Sequence, residues 1–305
     1  MALVDAIRRS LSAKISLALA ALLVALMAVA AVVTTLRQGQ QMEADTLEKA
    51  RLAATIAARQ YGDMFDNAID SGLATVADVF DRRYVEIKGY DWGKNPKYHT
   101  RYDALTDRSV LVFQDRILED QDFVFAVGVD ENGYLPTHNT IYQRPMEDAE
   151  KDLAGNRTKR LFNDPVGLKA AQNLEPSLMQ LYRRDTGETM WDVSAPILVK
   201  GKHWGAFRLG VSMVRIEARK SSLALSLSGL LGAFALVTIG FMFVLVTRAL
   251  RPVVALTEAA EQISLGEGLD TSVKSQATDE LGQLANAIER LRVSMKAAMS
   301  RLGGS

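Results

Sequence analysis

Two uncharged apolar runs, Ile15 to Leu36 and Ser221 to Thr247, constrain this chain more than any other feature. Each exceeds the roughly 20 residues that an α-helix needs to cross a hydrocarbon core at about 1.5 Å of rise per residue. Two membrane-spanning helices are therefore predicted, over 15–36 and 221–247. The competing reading is a pair of core helices in a soluble protein, and the outer flanks weigh against it. Arg8, Arg9 and Lys14 precede the first run, and Arg248 and Arg251 follow the second. By the excess of positive charge on cytoplasmic flanks, both ends are expected in the cytoplasm. Arg215, Arg219 and Lys220 count the other way, but a long intervening domain crosses largely regardless of its charge. A cleaved secretory signal is a second alternative for the first run, with Ala28-Val29-Ala30 as a cleavage-like triplet. The run is longer than the usual signal core of roughly 7 to 15 residues.

The net charge of +0 and the 48% apolar content average over spans and soluble parts, so neither points to a partner, and no nucleic acid is expected. The chain has no cysteine, which excludes disulfides, thiolate metal sites and haem attachment through Cys-x-x-Cys-His. The segment from Arg37 to Lys220 is long enough for one core of ordinary domain size. From Gln38 to about Arg83 it lacks proline, and Phe65, Ile69, Leu73, Val76 and Phe80 form one stripe of a long helix. Residues Ile87 to Asp103 mix Gly89, Gly93 and Pro96 with Tyr90, Trp92, Tyr98, His99 and Tyr102, the composition of an ordered loop that lines a site or packs on its own domain. A short helix is predicted around Thr106 to Glu119. Phe123, Phe125, Val127 and Val129 alternate on one strand face and lead to Asp130-Glu131-Asn132-Gly133, read as a hairpin turn. Three further strands, 178–184, 189–199 and 203–211, are separated by short turns and predict an antiparallel meander. A long helix, two strands, an irregular middle and three more strands make an α+β module with one antiparallel sheet.

Phe125 to Asn139, Asn156 to Asp164, and Ser194-Ala195-Pro196-Ile197 followed by Gly201 to Gly205 resemble the extracytoplasmic Cache (PAS-like) sensor domains of bacterial chemoreceptors. The resemblance covers roughly Tyr98 to Val211. It implies a small-molecule sensor whose ligand the fold does not specify. A pocket needs apolar walls and a few convergent polar groups. The candidates are Tyr134, His138 and Asn139 after the turn, then Arg157, Arg160, Asn163 and Asp164 in the irregular middle. Tyr182, Asp192, Trp204 and Arg208 face them from the last strands. Strand alternation puts Trp204, Ala206, Arg208 and Gly210 on one face. An arginine among small and aromatic neighbours suits a carboxylate-bearing ligand, which it grips with two parallel hydrogen bonds. The alternative is that these arginines pair with local acids such as Asp164 and Asp185. The three histidines, His99, His138 and His203, have no metal-site spacing, so no metal and no cofactor are expected. Asn156-Arg157-Thr158 matches the glycosylation pattern, but it belongs to the sensor-like stretch and is discounted. With no nucleophile-base signature or phosphate loop, the chain is expected to bind and not to catalyse.

After Pro252, the residues Val253, Leu256, Ala260 and Ile263 keep a heptad spacing, and so do Leu281, Leu284, Ile288, Leu291, Met295 and Ala298. Between them lies a connector, Ser264 to Ala277, with Gly266, Gly268 and isolated apolar Leu269 and Val273. Thr278 is placed to cap the second helix, with Asp279 and Glu280 at its positive end. Arg248 to Leu302 resembles the HAMP linker of histidine kinases, adenylyl cyclases and chemoreceptors. The resemblance implies a parallel four-helix coiled coil formed by a homodimer. Its relay residues here would be Pro252, Leu256, Ile263, Leu269, Val273, Glu280, Leu284, Ile288 and Leu291. An unrelated antiparallel hairpin is the alternative.

The domain order is then a cytoplasmic N-terminus (1–14), a span (15–36), a periplasmic or extracellular sensor (37–220), a second span (221–247), a HAMP-like domain (248–302) and a tail (303–305). In a bacterial inner membrane such a chain would sense a small ligand and relay a conformational change to a cytoplasmic partner or to an output domain absent from this sequence. A chemoreceptor, whole or truncated, is the favoured reading. A sensor part of a histidine kinase or cyclase, and a membrane-anchored binding or adhesion protein, are the rivals.

Overall fold

The computed structural model describes residues 11–273 and 279–302, so Arg8, Arg9, Thr278 and the tail 303–305 lie outside the described residues. The described residues form two compact units, one of residues 35–224 and one of the remainder.

In the first unit the sheet rests against the later part of helix α1 (Leu11–Asp70). This helix buries Ala50, Ala54, Ala57, Ala58, Tyr61 and Phe65, and the small residues among them let its backbone come close to the sheet. It ends at Asp70 and does not reach Arg83. Gly72 turns the chain with φ 73, and Thr75 opens α2 (Val76–Val79) with a capping box to Asp78. The predicted stripe from Phe65 to Phe80 is thus broken, and Leu73 is exposed. β1 (Val85–Glu86) and β2 (Tyr98–His99) then pair across the aromatic loop. That loop packs on its own domain: Trp92 Nε1 donates to the Ile87 carbonyl at 2.9 Å and the Tyr90 hydroxyl to Asp152 at 2.7 Å. The single predicted helix at Thr106–Glu119 is two, α3 (Asp103–Ser109) and α4 (Leu111–Ile117), meeting at Val110.

Next come β3 (Phe123–Asp130), β4 (Tyr134–Leu135), α5 (Ala149–Gly155), β5 (Arg160–Leu161) and α6 (Pro165–Ala171). The meander follows as β6 (Leu178–Arg183), β7 (Thr189–Val199) and β8 (Lys202–Ser212). Its last turn is closed by Lys200 and Gly201, both at positive φ (48 and 73), as a two-residue hairpin between right-twisted strands requires. The four-stranded antiparallel sheet has the order β3-β8-β7-β6, while β4 pairs with β5. The expected hairpin at Asp130–Gly133 therefore does not form. The Asp130 carboxylate accepts the amide N–H groups of Asn132 and Tyr134 at 3.0 and 2.9 Å and turns the chain off the sheet toward β5.

Two bulges decide which side chains face where. Phe123 pairs with Val211 and Phe125 with Gly210, so Val124 is an extra residue on β3. Phe123 packs on the α1 side, while Phe125, Val127 and Val129 face away from it. On β8, Ile197 pairs with Gly205 and Leu198 with His203, which leaves Trp204 as the extra residue. Trp204 therefore does not share a face with Arg208. It turns toward α1, its ring 4.9 Å from Phe65 and its Nε1 donating to the Val79 carbonyl at 2.8 Å.

The second unit contains the early part of α1, most of α7 (Met213–Ser264), and α8 (Glu280–Leu302). Both α1 and α7 are long and apolar enough to cross a membrane. Pro252 lies inside α7 and does not start a new helix. Proline forfeits one backbone hydrogen bond there, but φ near −65° suits the helix and the chain runs on.

Candidate functional site

The face of the sheet turned away from α1 carries a small cavity of about 20 Å³, partly open to solvent. Phe125 and Val127 of β3, Leu135 of β4 and Phe162 form its apolar wall. Gly210 makes room for the wall, because a Cβ there would stand 2.4 Å from the Phe125 ring. The polar lining is His138, Arg157, Tyr182, Arg184 and Arg208. Arg208 sits mid-sheet between Val127 of β3 and Ser194 of β7, and its Nε donates to Asp192 at 3.1 Å with both side chains buried. Burial alone would lower the Arg208 pKa, but the Asp192 carboxylate raises it.

Around the cavity the charges do not balance. Arg157 and Arg160 share Asp185, at 2.9 and 3.3 Å, and Arg160 also stacks on Phe162 at 4.9 Å. Four guanidiniums (Arg157, Arg160, Arg184, Arg208) thus face two ion-paired carboxylates (Asp185, Asp192) and the nearby charge of Asp164, an excess of one positive charge. Burial, followed by the charge of Arg157, lowers the Arg160 pKa to about 10. Burial would raise the Asp185 pKa, but Arg157, Arg160 and Arg184 together hold it below the ordinary carboxylate range. Three buried guanidinium nitrogens have no hydrogen-bond partner: Arg160 Nε, Arg184 Nη2 and Arg208 Nη2. The Ser194 hydroxyl, directly across from Arg208, has none either. A buried donor left unpaired costs about 1–3 kcal/mol, and more when it is charged, so such a cluster stands ready for an anion that would accept from it.

His138 is neutral in this setting. Burial comes first among the causes, then the charges of Arg157, Arg184 and Arg160, and together they push its pKa well below the usual value. Its Nδ1 accepts the Asn139 amide N–H at 2.8 Å, which leaves the ring proton on Nε2 as a donor. Because the folded value lies below the unfolded one of about 6.5, the unfolded chain binds the proton first as pH falls. This contribution to stability is complete above about pH 6.5 and is lost below it. Thermal melting of the wild type and of His138→Gln between about pH 7.5 and about pH 5 is expected to show a shallower acid decline in the variant. Equal slopes would count against this account of His138.

Of the residues expected from sequence, His138, Arg157, Tyr182 and Arg208 line the cavity, Asp192 holds Arg208, and Arg160 stands behind Phe162. The others are placed elsewhere. The Tyr134 hydroxyl donates to the Tyr98 carbonyl at 2.8 Å on the α1 side, and the Asn139 side chain accepts the Ala126 amide at 2.9 Å. Asp164 caps α6 by accepting from Val166 and Gly167, Asn163 is exposed, and Trp204 belongs to the core. Arg184 and the apolar wall were missed. Among the described residues, no group of three His, Asp or Glu side chains could hold a metal ion.

In the other unit, Leu256 and Ile263 of α7 pack against Ala285 and Ile288 of α8, with Leu269 and Val273 of the connector alongside. Glu289 pins that connector by accepting the Val273 amide at 2.8 Å, and Arg292 donates to Glu289 and to the Leu269 carbonyl. Arg292, then the Val273 amide, lower the Glu289 pKa to about 2. The Asp279 carboxylate accepts the amides of Leu281 and Gly282 at the start of α8, while Glu280 is exposed. Leu284 and Leu291 do not join this core; they are 44% and 51% exposed. One neighbouring helix covers one stripe, and these two leucines lie beside it.

Residues 244–297 match the HAMP domain family. The seam of α7 and α8 and the connector pinned by Glu289 all fall within this HAMP region. No curated protein matches the chain. Among solved structures, the E. coli DcuS sensor domain is 18% identical, with a TM-score of 0.27, over 37% of this chain and 72% of that one. The extracellular domain of vpHK1S-Z8, described as a histidine kinase, is 14% identical, with a TM-score of 0.26, over 59% and 61%. A domain from Vibrio parahaemolyticus described as of the sensory box/GGDEF family is 16% identical, with a TM-score of 0.24, over 55% and 60%. The HAMP domain, together with two helices fit to cross a membrane, supports a transmembrane signalling sensor.

Proposed function

We propose that residues 37–220 form a sensor domain outside a bacterial inner membrane that binds a small carboxylate-bearing anion between the sheet and the segment 135–162. Two chains would pass the resulting change through the second span into a HAMP four-helix bundle. The observation that carries the ligand class is the pair of unpaired, buried guanidinium nitrogens on the cavity-lining Arg184 and Arg208. A carboxylate accepts from such donors in pairs. The chain acts by binding and not by catalysis, and its output is that of a chemoreceptor, delivered through a cytoplasmic partner. Lys14, Arg248 and Arg251 favour cytoplasmic termini.

Titrating the full chain in nanodiscs with acetate, succinate and citrate tests the ligand class. At about 100 times its Kd, a ligand adds about 2.7 kcal/mol to the stability of the state it binds, worth several degrees of melting temperature. Arg184→Gln, which breaks no observed ion pair, is expected to weaken that anion's binding ten-fold or more. A melting curve indifferent to every carboxylate would sink the proposal.

The homodimer is supported by Leu284 and Leu291, left bare on the single chain at heptad positions. The chain has no cysteine, so one introduced thiol reports on one site. Leu291→Cys in membranes is expected to form disulfide-linked dimers readily. Val293→Cys, about 200° further round the helix at 3.6 residues per turn, is expected to form few. Equal cross-linking at both positions would contradict the parallel bundle.

A further inference from the structure

We infer that Tyr142 ties the anion site to the head of the second membrane-spanning helix through the bulge at the base of β3. The inference rests on the anion site proposed above, and it names how that site is read out.

Tyr142 stands between the cavity and the sheet edge. Its ring lies 4.5 Å from that of His138 and 4.7 Å from the Arg184 guanidinium. Its carbonyl accepts the amide of Arg157 at 2.8 Å, so the tyrosine is held by three residues that line the cavity. The hydroxyl accepts from Arg184 Nη1 at 3.3 Å and donates its only proton to the Val124 carbonyl at 3.0 Å. Val124 is the bulged residue of β3, the point where the regular ladder to β8 is interrupted. A bulge is where a strand shifts with least loss of pairing.

From Val124 the chain leads within two residues to the groups that hold the start of α7. The Phe123 carbonyl accepts from Arg215 at 3.4 Å, and the Asp122 carboxylate accepts from Arg219 at 2.8 Å and from Lys49 of α1 at 2.9 Å. The Asp122 carbonyl accepts the amide of Ser212, the last residue of β8, at 3.0 Å. Asp122 is buried and its Oδ1 has no partner, so a small shift of β3 at this point can exchange which oxygen the two cations share. An anion that draws the free Arg184 Nη2 into the cavity changes the Arg184–Tyr142 contact. Tyr142 in turn is fixed to the one carbonyl that sets the bulge. The base of β3, and the arginines of α7 anchored on it, then have two arrangements that the ligand biases.

The test uses the full chain in nanodiscs and has two arms. In the first, hydrogen exchange compares the wild type with Tyr142→Phe in the absence of any anion. Exchange is expected to accelerate about ten-fold or more at residues 122–126 and at 212–219, and to stay unchanged at the opposite end of the β7–β8 hairpin, residues 197–203. Acceleration everywhere would make Tyr142 a merely structural residue, and acceleration nowhere would remove it from the path; either result overturns the inference. In the second arm, a spin label on Leu223→Cys is followed with saturating acetate, succinate or citrate, whichever raises the melting temperature. The label is expected to respond in the wild-type background and to be silent with Tyr142→Phe. A response in both backgrounds overturns the relay while leaving the anion site standing. If none of the three anions binds, the anion site fails and the exchange arm still judges the link from Tyr142 to α7.

Discussion

Replacing Asp192 by alanine is expected to lower the melting temperature of the sensor unit by on the order of 10 °C. The carboxylate is fully buried and is the observed ion-pair partner of Arg208, itself buried in mid-sheet. Removing one member of a buried pair costs about 3–5 kcal/mol, because the remaining charge has neither water nor a counter-ion. For a unit of 150 to 250 residues each kcal/mol moves the melting temperature by about 2–4 °C. The Gln180 amide, which donates to Asp192 at 3.1 Å, loses its acceptor in the same change.

The double variant Asp192→Ala with Arg208→Met separates this account from a simple loss of packing. With both charges gone, no ion is left stranded, and buried pairs replaced by apolar groups are often neutral in stability. Most of the lost melting temperature should return, with a coupling energy of about 0.5–3 kcal/mol of the sign that favours the pair being removed together. If the double variant is as unstable as the sum of the singles, the pair does not act as a unit. The same change also removes one of the three unsatisfied guanidinium donors, so anion binding should not recover with stability. Stability and binding are thus carried by different atoms of one side chain, Nε paired with Asp192 and Nη2 left without a partner.

What the sequence made legible follows from how local the signal is. The apolar runs are compositional and need no partner to be recognised, and the turn at Lys200-Gly201 is marked by a glycine free to take positive φ. The meander is periodic and matches the observed strands to within a residue, whereas of the heptad positions Leu256, Ile263 and Ile288 enter a core and Leu284 and Leu291 do not. Alternation fails where a single extra residue inverts it, as at Val124 and Trp204, because nothing in the residue types marks a bulge. It also fails to say which face of a sheet carries the cavity when both are covered, so alternation does not mark Phe125 and Val127 as cavity wall. Polar candidates suffered from a different ambiguity. Tyr134, Asn139 and Asp164 have the chemistry of ligand contacts but spend it on a backbone carbonyl, a strand amide and a helix cap. Arg184 escaped notice since it lies just beyond the end of β6, where an arginine ordinarily reaches into water.

Two glycines of α1 are expected to respond to alanine with opposite signs. Taken alone, helix propensity favours both changes by about 1 kcal/mol. At Gly39 a Cβ would meet only the Lys220 side chain, at 3.6 Å and beyond, an ordinary contact that a flexible chain accommodates. Gly39→Ala should be neutral or stabilising. At Gly62 a Cβ would lie 2.3 Å from the carbonyl oxygen of Leu198, a strand backbone atom that cannot move without disturbing its ladder. The helix must lift instead, by about 1 Å if the contact is to reach van der Waals distance. Its neighbours Tyr61 and Phe65 are fully buried against Trp204, with ring centroids at 5.5 and 4.9 Å, so lifting α1 opens a gap under the largest side chains of the core. Overpacking of this kind costs about 1–3 kcal/mol, and here it adds to the loss of aromatic contacts, so sterics should outweigh propensity. A melting temperature lowered by at least about 3 °C in Gly62→Ala, and not lowered in Gly39→Ala, is the expected pair of results. If both variants were stabilised, the close approach of α1 to β7 would not be a fixed feature of the sensor.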